Sequence, residues 1–236
     1  MDEGVARARA ERQLRRRRPA AESRPDRVAL WAVFLGLFAT FAAAASAHAA
    51  SSGGVGDGVP DGTAPTGDCP ALEFGQRPLK LGDCGTDVQT LNWLLKSKPI
   101  GSAVLPDGQF SEPTEQAVRA FQEGAGLGPS GVVDKGTRKA LKKSMNKNVA
   151  SWYGPGFFGN DTACGGPLQK GTIGVAHRTL PCGTRVAFYA HGEWLNTEVI
   201  DRGPFVKDIT WDLTQAAAEE LEVTVTEKVR AAVVTG

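Results

Sequence analysis

Histidine is scarce in this chain, with three in 236 residues, and the three do not cluster. The four cysteines show no Cys-x-x-Cys spacing either, so the residue grouping of a structural zinc site is missing. A basic stripe is also lacking where a fold is expected. Residues 1–27 hold nine Arg against five acids, and the rest of the chain has 18 basic against 21 acidic residues. The basic excess therefore belongs to the N-terminal segment, and nucleic acid is not an expected partner. No metal and no cofactor is expected.

Long uncharged runs are absent with one exception, residues 28–47 (VALWAVFLGLFATFAAAASA), which follow Arg24 and Arg27. A positive start, an apolar run and small residues at the end make a secretory signal. Ala45-Ser46-Ala47 and Ala47-His48-Ala49 both fit its cleavage pattern. An uncleaved anchor is the alternative, because a spanning helix needs about 20 apolar residues. Either way, residues 51–236 are expected outside the cytoplasm, and the membrane is met only through residues 1–50. There, an even cysteine count suggests disulfides, and four cysteines allow three pairings. Cys69–Cys84 and Cys164–Cys182 are favoured, because each pair falls inside one candidate domain.

Residues 51–67 (SSGGVGDGVPDGTAPTG) offer almost nothing to bury and read as a flexible linker. Residues 68–146 read as a small helical domain. Val88, Leu91, Leu94 and Leu95 recur at helical spacing, and Asp87 suits the positive end of a first-turn dipole. A second helix fits Glu112–Glu123, with Ala117, Val118 and Phe121 inward, and a third fits Lys135–Lys143. Two phrases repeat, each putting a Gly turn before a helix start: Asp107-Gly108-Gln109-Phe110 ahead of Thr114, and Ser130-Gly131-Val132-Val133 ahead of Thr137.

Residues 149–236 change character. Val149–Tyr153, Thr184–Tyr189, Glu193–Ile200 and Val223–Val234 are β-prone, and Asp212–Glu222 is the one clear helix. Short strands, many glycines and a single helix suggest a small barrel. The expected fold is thus multidomain, a three-helix module followed by an all-β barrel with one helix.

The helical segment resembles the peptidoglycan-binding domain 1 family. The match runs through Leu81-Gly82, Gly85-Thr86-Asp87-Val88, Leu91, both repeated phrases, Phe121-Gln122, Gly126-Leu127 and Leu141. Most of these are core or turn positions, so they identify the fold, and wall binding follows from the resemblance. Trp93 stands where members usually carry a smaller residue and reads as core or rim.

The second segment resembles the rare lipoprotein A family, whose fold is a double-psi β-barrel shared with expansins. The resemblance rests on Ala150-Ser151-Trp152-Tyr153-Gly154, Ala176-His177-Arg178-Thr179-Leu180-Pro181, Asp201-Arg202-Gly203-Pro204-Phe205 and Asp212-Leu213-Thr214. It implies a lytic transglycosylase of peptidoglycan that leaves a 1,6-anhydro end, with glycan strands and stem peptides as partners and the cell wall or the extracellular space as location. It implies Asp201 and Asp212 as a pair on neighbouring strand ends facing one groove. Asp212, beside Trp211 and Leu213, is the expected acid/base, and Asp201 its charged partner. For Asp212 the alternative is a helix N-cap, with Gln215 three residues on. His177 is the third candidate, and Tyr153, Thr162 and Trp211 are expected at the substrate. Trp152, Phe157, Phe158 and Trp194 extend a candidate sugar-stacking face.

The chain departs from that family at one place. Members usually carry Thr-Ala-Asn-Gly-Glu where it has Thr162-Ala163-Cys164-Gly165-Gly166, so Gly166 stands for the Glu. A barrel without that Glu fits a second reading, an expansin-like protein that binds or loosens wall without cutting it. Cys164 and Cys182 replace a polar and an apolar family position together, as a bridge requires.

Overall fold

The computed structural model describes residues 69–234. The expected signal or anchor segment (1–50) and linker (51–67) lie outside the described residues. Among the described residues no helix is long and apolar enough to cross a membrane.

The helical part holds α1 (Thr86–Lys96), a short 3-10 turn (Pro99–Gly101), α2 (Glu112–Gly124) and α3 (Lys135–Lys143). Val88, Leu91, Leu94 and Leu95 of α1 are all buried, as the helical spacing requires. The repeated phrases have a common physical cause. Ahead of α2, the buried Asn92 amide donates to the carbonyls of Asp107 and Gln109 (2.9 Å each) and accepts from Thr114 Oγ1 at 3.0 Å. Ahead of α3, the buried Gln122 amide donates to Val132 O and Thr137 Oγ1 and accepts from Gly131 N. Each phrase is therefore a turn whose orphan backbone groups are satisfied by one buried amide from the preceding helix. Gly131 sits at φ 76, a left-handed conformation that glycine takes without a Cβ clash.

The barrel has β1 (Asn146–Tyr153), β2 (Val175–Ala176), β3 (Arg185–Ala190), β4 (Glu193–Asp201), β5 (Trp211–Thr214) and β6 (Glu227–Val233), closed in the order β1-β5-β2-β4-β3-β6. Two parallel pairs, β1 with β5 and β2 with β4, interrupt an otherwise antiparallel ring. Its interior is Val175, Val186, Phe188, Val199, Leu213, Val229 and Ala231. The expected helix at Asp212–Glu222 is shorter than its pattern suggests. Asp212 to Thr214 belong to β5, and α4 spans Gln215–Glu220 with Thr214 as its N-cap, the hydroxyl accepting from Ala217 N. Asp212 is thus not the cap.

No linker separates the two parts: α3 ends at Lys143 and β1 begins at Asn146. They also share a core. Strand alternation points Val186 and Phe188 of β3 into the barrel and Ala187 and Tyr189 toward the helices. Phe74 packs edge-on against Trp194 at 5.1 Å, and Asn196 Nδ2 donates to Thr90 Oγ1 at 3.0 Å. Arg230 donates to the carbonyl of Lys142 at the end of α3. Trp93 is core in this packing, its indole N–H on Pro106 O and the Arg185 guanidinium over its ring.

Candidate active site

Three strands converge where β2 ends. Ala176 pairs with Asp201 of β4 on one side and with Asp212 of β5 on the other. The two carboxylates are therefore not on adjacent strands, as the resemblance implied, but flank β2. His177 follows β2 directly, and its backbone N–H donates to Asp201 O at 3.1 Å. Strand β1 lies next to β5 in register, Ser151 opposite Asp212 and Tyr153 opposite Thr214, which brings Ser151 and Tyr153 to the same end.

The two aspartates have different surroundings. Asp201 accepts three hydrogen bonds: Oδ1 from the backbone N–H of Ala163 and of Arg202 (2.8 Å each), and Oδ2 from the Tyr153 hydroxyl at 3.0 Å. Both its oxygens are occupied, which suits a fixed acceptor and not a proton donor to substrate. Asp212 accepts one hydrogen bond, from Ser151 Oγ to Oδ1 at 2.8 Å, and its Oδ2 has no protein partner among the described residues. Burial pushes the Asp212 carboxyl above the ordinary aspartate range; the Ser151 hydrogen bond opposes this, and the charge of Asp201 adds to it. The pair thus differs in kind: Asp201 is held by three hydrogen bonds, and the Asp212 carboxyl is half-buried with its pKa raised. Arg202 does not face the carboxylate with its guanidinium, which turns to Cys182 Sγ and to Asp201's own carbonyl.

His177 Nδ1 accepts from the backbone N–H groups of Thr179 and Leu180 at 3.2 and 3.1 Å. An Nδ1 used as acceptor leaves the ring proton on Nε2, so His177 presents a neutral N–H donor. Burial lowers its pKa, and the cations Arg178 and Arg202 lower it further. Burial and the charge and hydrogen bond of Asp201 push the Tyr153 phenol up, which keeps it protonated as a donor.

The other expected substrate contacts lie behind this site. Trp211 is only 2% exposed, with its ring against His177 (4.6 Å) and Phe188 (5.2 Å), so it supports the histidine instead of offering a stacking face. Thr162 is buried and spends its hydroxyl on Gly165 O. Trp194 is taken by the contact with the helices. Trp152, Phe157 and Phe158 are the exposed members of the aromatic set.

Cys69 is bonded to Cys84, and Cys164 to Cys182. The second bridge ties the loop bearing Ala163, a donor to Asp201, to the turn that follows His177. Gly166 lies in that loop at φ 79; a Cβ there would meet nothing within 4 Å, but the backbone is left-handed. Among the described residues no group of three or more His, Cys, Asp or Glu is placed to hold a metal ion.

A closed barrel with two parallel pairs, an aspartate pair astride a short strand and a helical module sharing its core define a two-module protein with one candidate carboxylate site. Residues 84–141 match the family model described as a peptidoglycan binding domain, and residues 146–234 match that of the lytic transglycolases. The chain is similar to several endolytic peptidoglycan transglycosylases named RlpA. It is 38% identical over 77 residues to that of Campylobacter jejuni (32% of this chain, 28% of the relative). It is 40% identical over 77 residues to that of Helicobacter pylori (32% and 24%) and 42% identical over 87 residues to that of Rickettsia felis (35% and 38%). The chain thus spans less than two fifths of the length of each of these relatives. Among solved structures, the Streptomyces papain inhibitor (SPI) is similar at 22% identity and a TM-score of 0.31, over 39% of this chain and 98% of that one.

Proposed function

We propose that this chain is an exported cell-wall enzyme that binds peptidoglycan with its helical module and cleaves the glycan strand by lytic transglycosylation. The observation that carries the reading is the unequal aspartate pair. Lytic cleavage needs one carboxylic acid to protonate the leaving glycosidic oxygen. The 6-hydroxyl of the sugar then attacks its own anomeric carbon, and the same group, now a carboxylate, takes the hydroxyl proton. The bond from C1 to the leaving oxygen breaks, a bond from C1 to O6 forms, no water is consumed, and a 1,6-anhydro end results. One carboxyl is sufficient for this route, unlike ordinary retaining hydrolysis.

Asp212 fits that role: burial raises its carboxyl above the ordinary aspartate range, which favours the protonated form, and one oxygen is left for substrate. Asp201 supplies negative charge that holds the proton on Asp212 and opposes positive charge developing at the anomeric carbon. The Nε2–H of His177 donates to a sugar hydroxyl or to the acetamido carbonyl. Export is supported by the two disulfides and by the sequence of residues 28–47.

A second reading, a barrel that binds glycan without cutting it, is favoured by one observation, Gly166 in place of the family Glu. Mass spectrometry of purified peptidoglycan digested with the protein separates the two. Release of 1,6-anhydro-ended fragments supports the enzyme. No release at any pH between 4 and 8, with wall binding intact, establishes the binder.

A further inference from the structure

The loop between β4 and β5 begins directly after Asp201 and carries the most exposed large apolar side chain of the described residues, Phe205 at 82%. Scattered exposed apolar residues need no explanation by themselves. This one differs because its loop is held by a single surface cation. Arg178 Nε donates to Pro204 O, and Nη2 donates to Val206 O and Ile209 O, 2.6 Å each. The carbonyls before and after Phe205 both accept from the one guanidinium. Pro204 is buried, and the intervening phenyl ring is left outward. A planar fork with five donors holds three carbonyls at once; an ammonium on a flexible stem does not hold the same set. Arg178 also follows His177 in sequence, so one residue joins the histidine end of the site to this loop.

Holding a hydrophobic ring in water on a tied loop beside a carboxylate pair is unfavourable for folding alone, and it suits a partner with a flat apolar face. The C–H face of a pyranose ring is such a partner. Resting on the proposed glycan-cleaving function, we propose that Phe205 contacts a sugar of the glycan strand beside the aspartate pair, and that Arg178 is a positioning residue that presents it. Trp152, Phe157 and Phe158 belong to β1 and the segment after it, so Phe205 is an exposed aromatic on a separate loop.

The test is binding of purified, peptide-free peptidoglycan glycan strands by calorimetry, carried out in an Asp212→Asn background so that the strands persist. Wild-type cleavage is assayed separately, so loss of the enzyme reading and loss of this proposal are read independently. Phe205→Ala weakens binding about three- to ten-fold, with unchanged melting temperature, and Phe205→Trp restores it. Arg178→Lys weakens binding to a similar extent, and adding Phe205→Ala to it costs little more. A structural defect at Arg178 alone would instead leave the two effects additive. Arg178→Gln also removes the charge beside His177, so the His177 ring protons titrate at higher pH by NMR, whereas Arg178→Lys leaves that titration in place. Strand affinity unchanged by Phe205→Ala overturns the contact. Additive Arg178 and Phe205 effects overturn the positioning role. If Arg178→Lys does not fold, Phe205→Ala and Phe205→Trp still decide the contact, and Arg178→Gln replaces it in the cycle.

Discussion

Asp201 and Asp212 face each other across one residue, Ala176, each paired with it from a different strand. This geometry gives the pair its asymmetry. Asp201 ends β4, where the Ala163 loop and Tyr153 reach it. Asp212 lies within β5, against the buried wall of the barrel, with only Ser151 to accept from.

Asp212→Asn is expected to lower release of 1,6-anhydro fragments by about 10²–10⁴-fold, the usual contribution of general acid catalysis, while glycan binding persists. Asp201→Asn is expected to act on the pH profile. It removes a charge that raises the Asp212 pKa, so the alkaline limb of the profile moves to lower pH. Rates across pH 4–8 check both. Undiminished activity of Asp212→Asn would place the acid elsewhere.

The same carboxyl has a consequence for stability. Its folded-state pKa is raised, so its stabilising contribution is fully present below the unfolded aspartate value of about 3.9 and is lost as pH rises through the folded value. Near pH 7 the charged form is a burden on the fold. Asp212→Asn is expected to melt higher than wild type at pH 7 and to lose that advantage below about pH 4. Thermal melts at several pH values test this, and an equal gain at pH 3 would show a cause other than ionisation.

Much of this was legible in the sequence. The helical spacing of Val88, Leu91, Leu94 and Leu95 is long enough to show a period, and Lys135–Lys143 is bounded as its pattern suggests. The family blocks bring Asp201, Asp212 and His177 to one end of the barrel. Other features have no local signal. Strand β2 has two residues and β5 four, too few for an alternation to show, and β5 runs into α4 so that Asp-Leu-Thr reads as a helix start. Trp211 and Trp194 look alike in sequence; only the packing puts one behind His177 and the other against Phe74. The shared core was hidden because β3 is buried on both faces, and a run such as Arg185–Ala190 does not say what covers its second face. The Arg178 clamp joins residues 26 to 31 positions apart, which no spacing rule records.

That shared core leads to a third prediction. Trp194 packs on Phe74 at 5.1 Å and on Tyr189 at 4.8 Å, so it links helices and barrel. Trp194→Ala is expected to destabilise by about 3 kcal/mol, the low end for a large aromatic truncated at a packed site, since the ring is partly buried. A single cooperative melt, lowered as a whole, is expected from the calorimeter. Two separate transitions in the wild type would show that the modules unfold independently.

The Cys164–Cys182 bridge is expected to matter for chemistry as well as stability. It ties the loop whose Ala163 N–H holds Asp201. Replacing both cysteines by Ser is expected to cost about 2–4 kcal/mol and to lower glycan cleavage beyond what the melting shift explains at the assay temperature. Replacing Cys69 and Cys84 is expected to destabilise and leave cleavage per folded molecule unchanged, because that bridge lies in the helical part. Equal activity losses for the two pairs would remove the link to Asp201.

Gly166→Glu tests whether the missing family carboxylate limits the reaction. The site has room, since a Cβ at 166 meets nothing within 4 Å, but the backbone sits at φ 79. A non-glycine residue there costs about 1–2 kcal/mol, so the variant is expected to melt lower. If the family Glu assists cleavage, the added carboxylate in the loop whose Ala163 holds Asp201 raises activity in spite of that loss, and Gly166→Gln, with the same strain and no charge, does not. If the Asp pair alone is sufficient, both variants cleave at or below the wild-type rate. Activity in Gly166→Glu with none in wild type would mean that the natural chain is a binder that lost its acid, and the expansin-like reading would then hold for this protein.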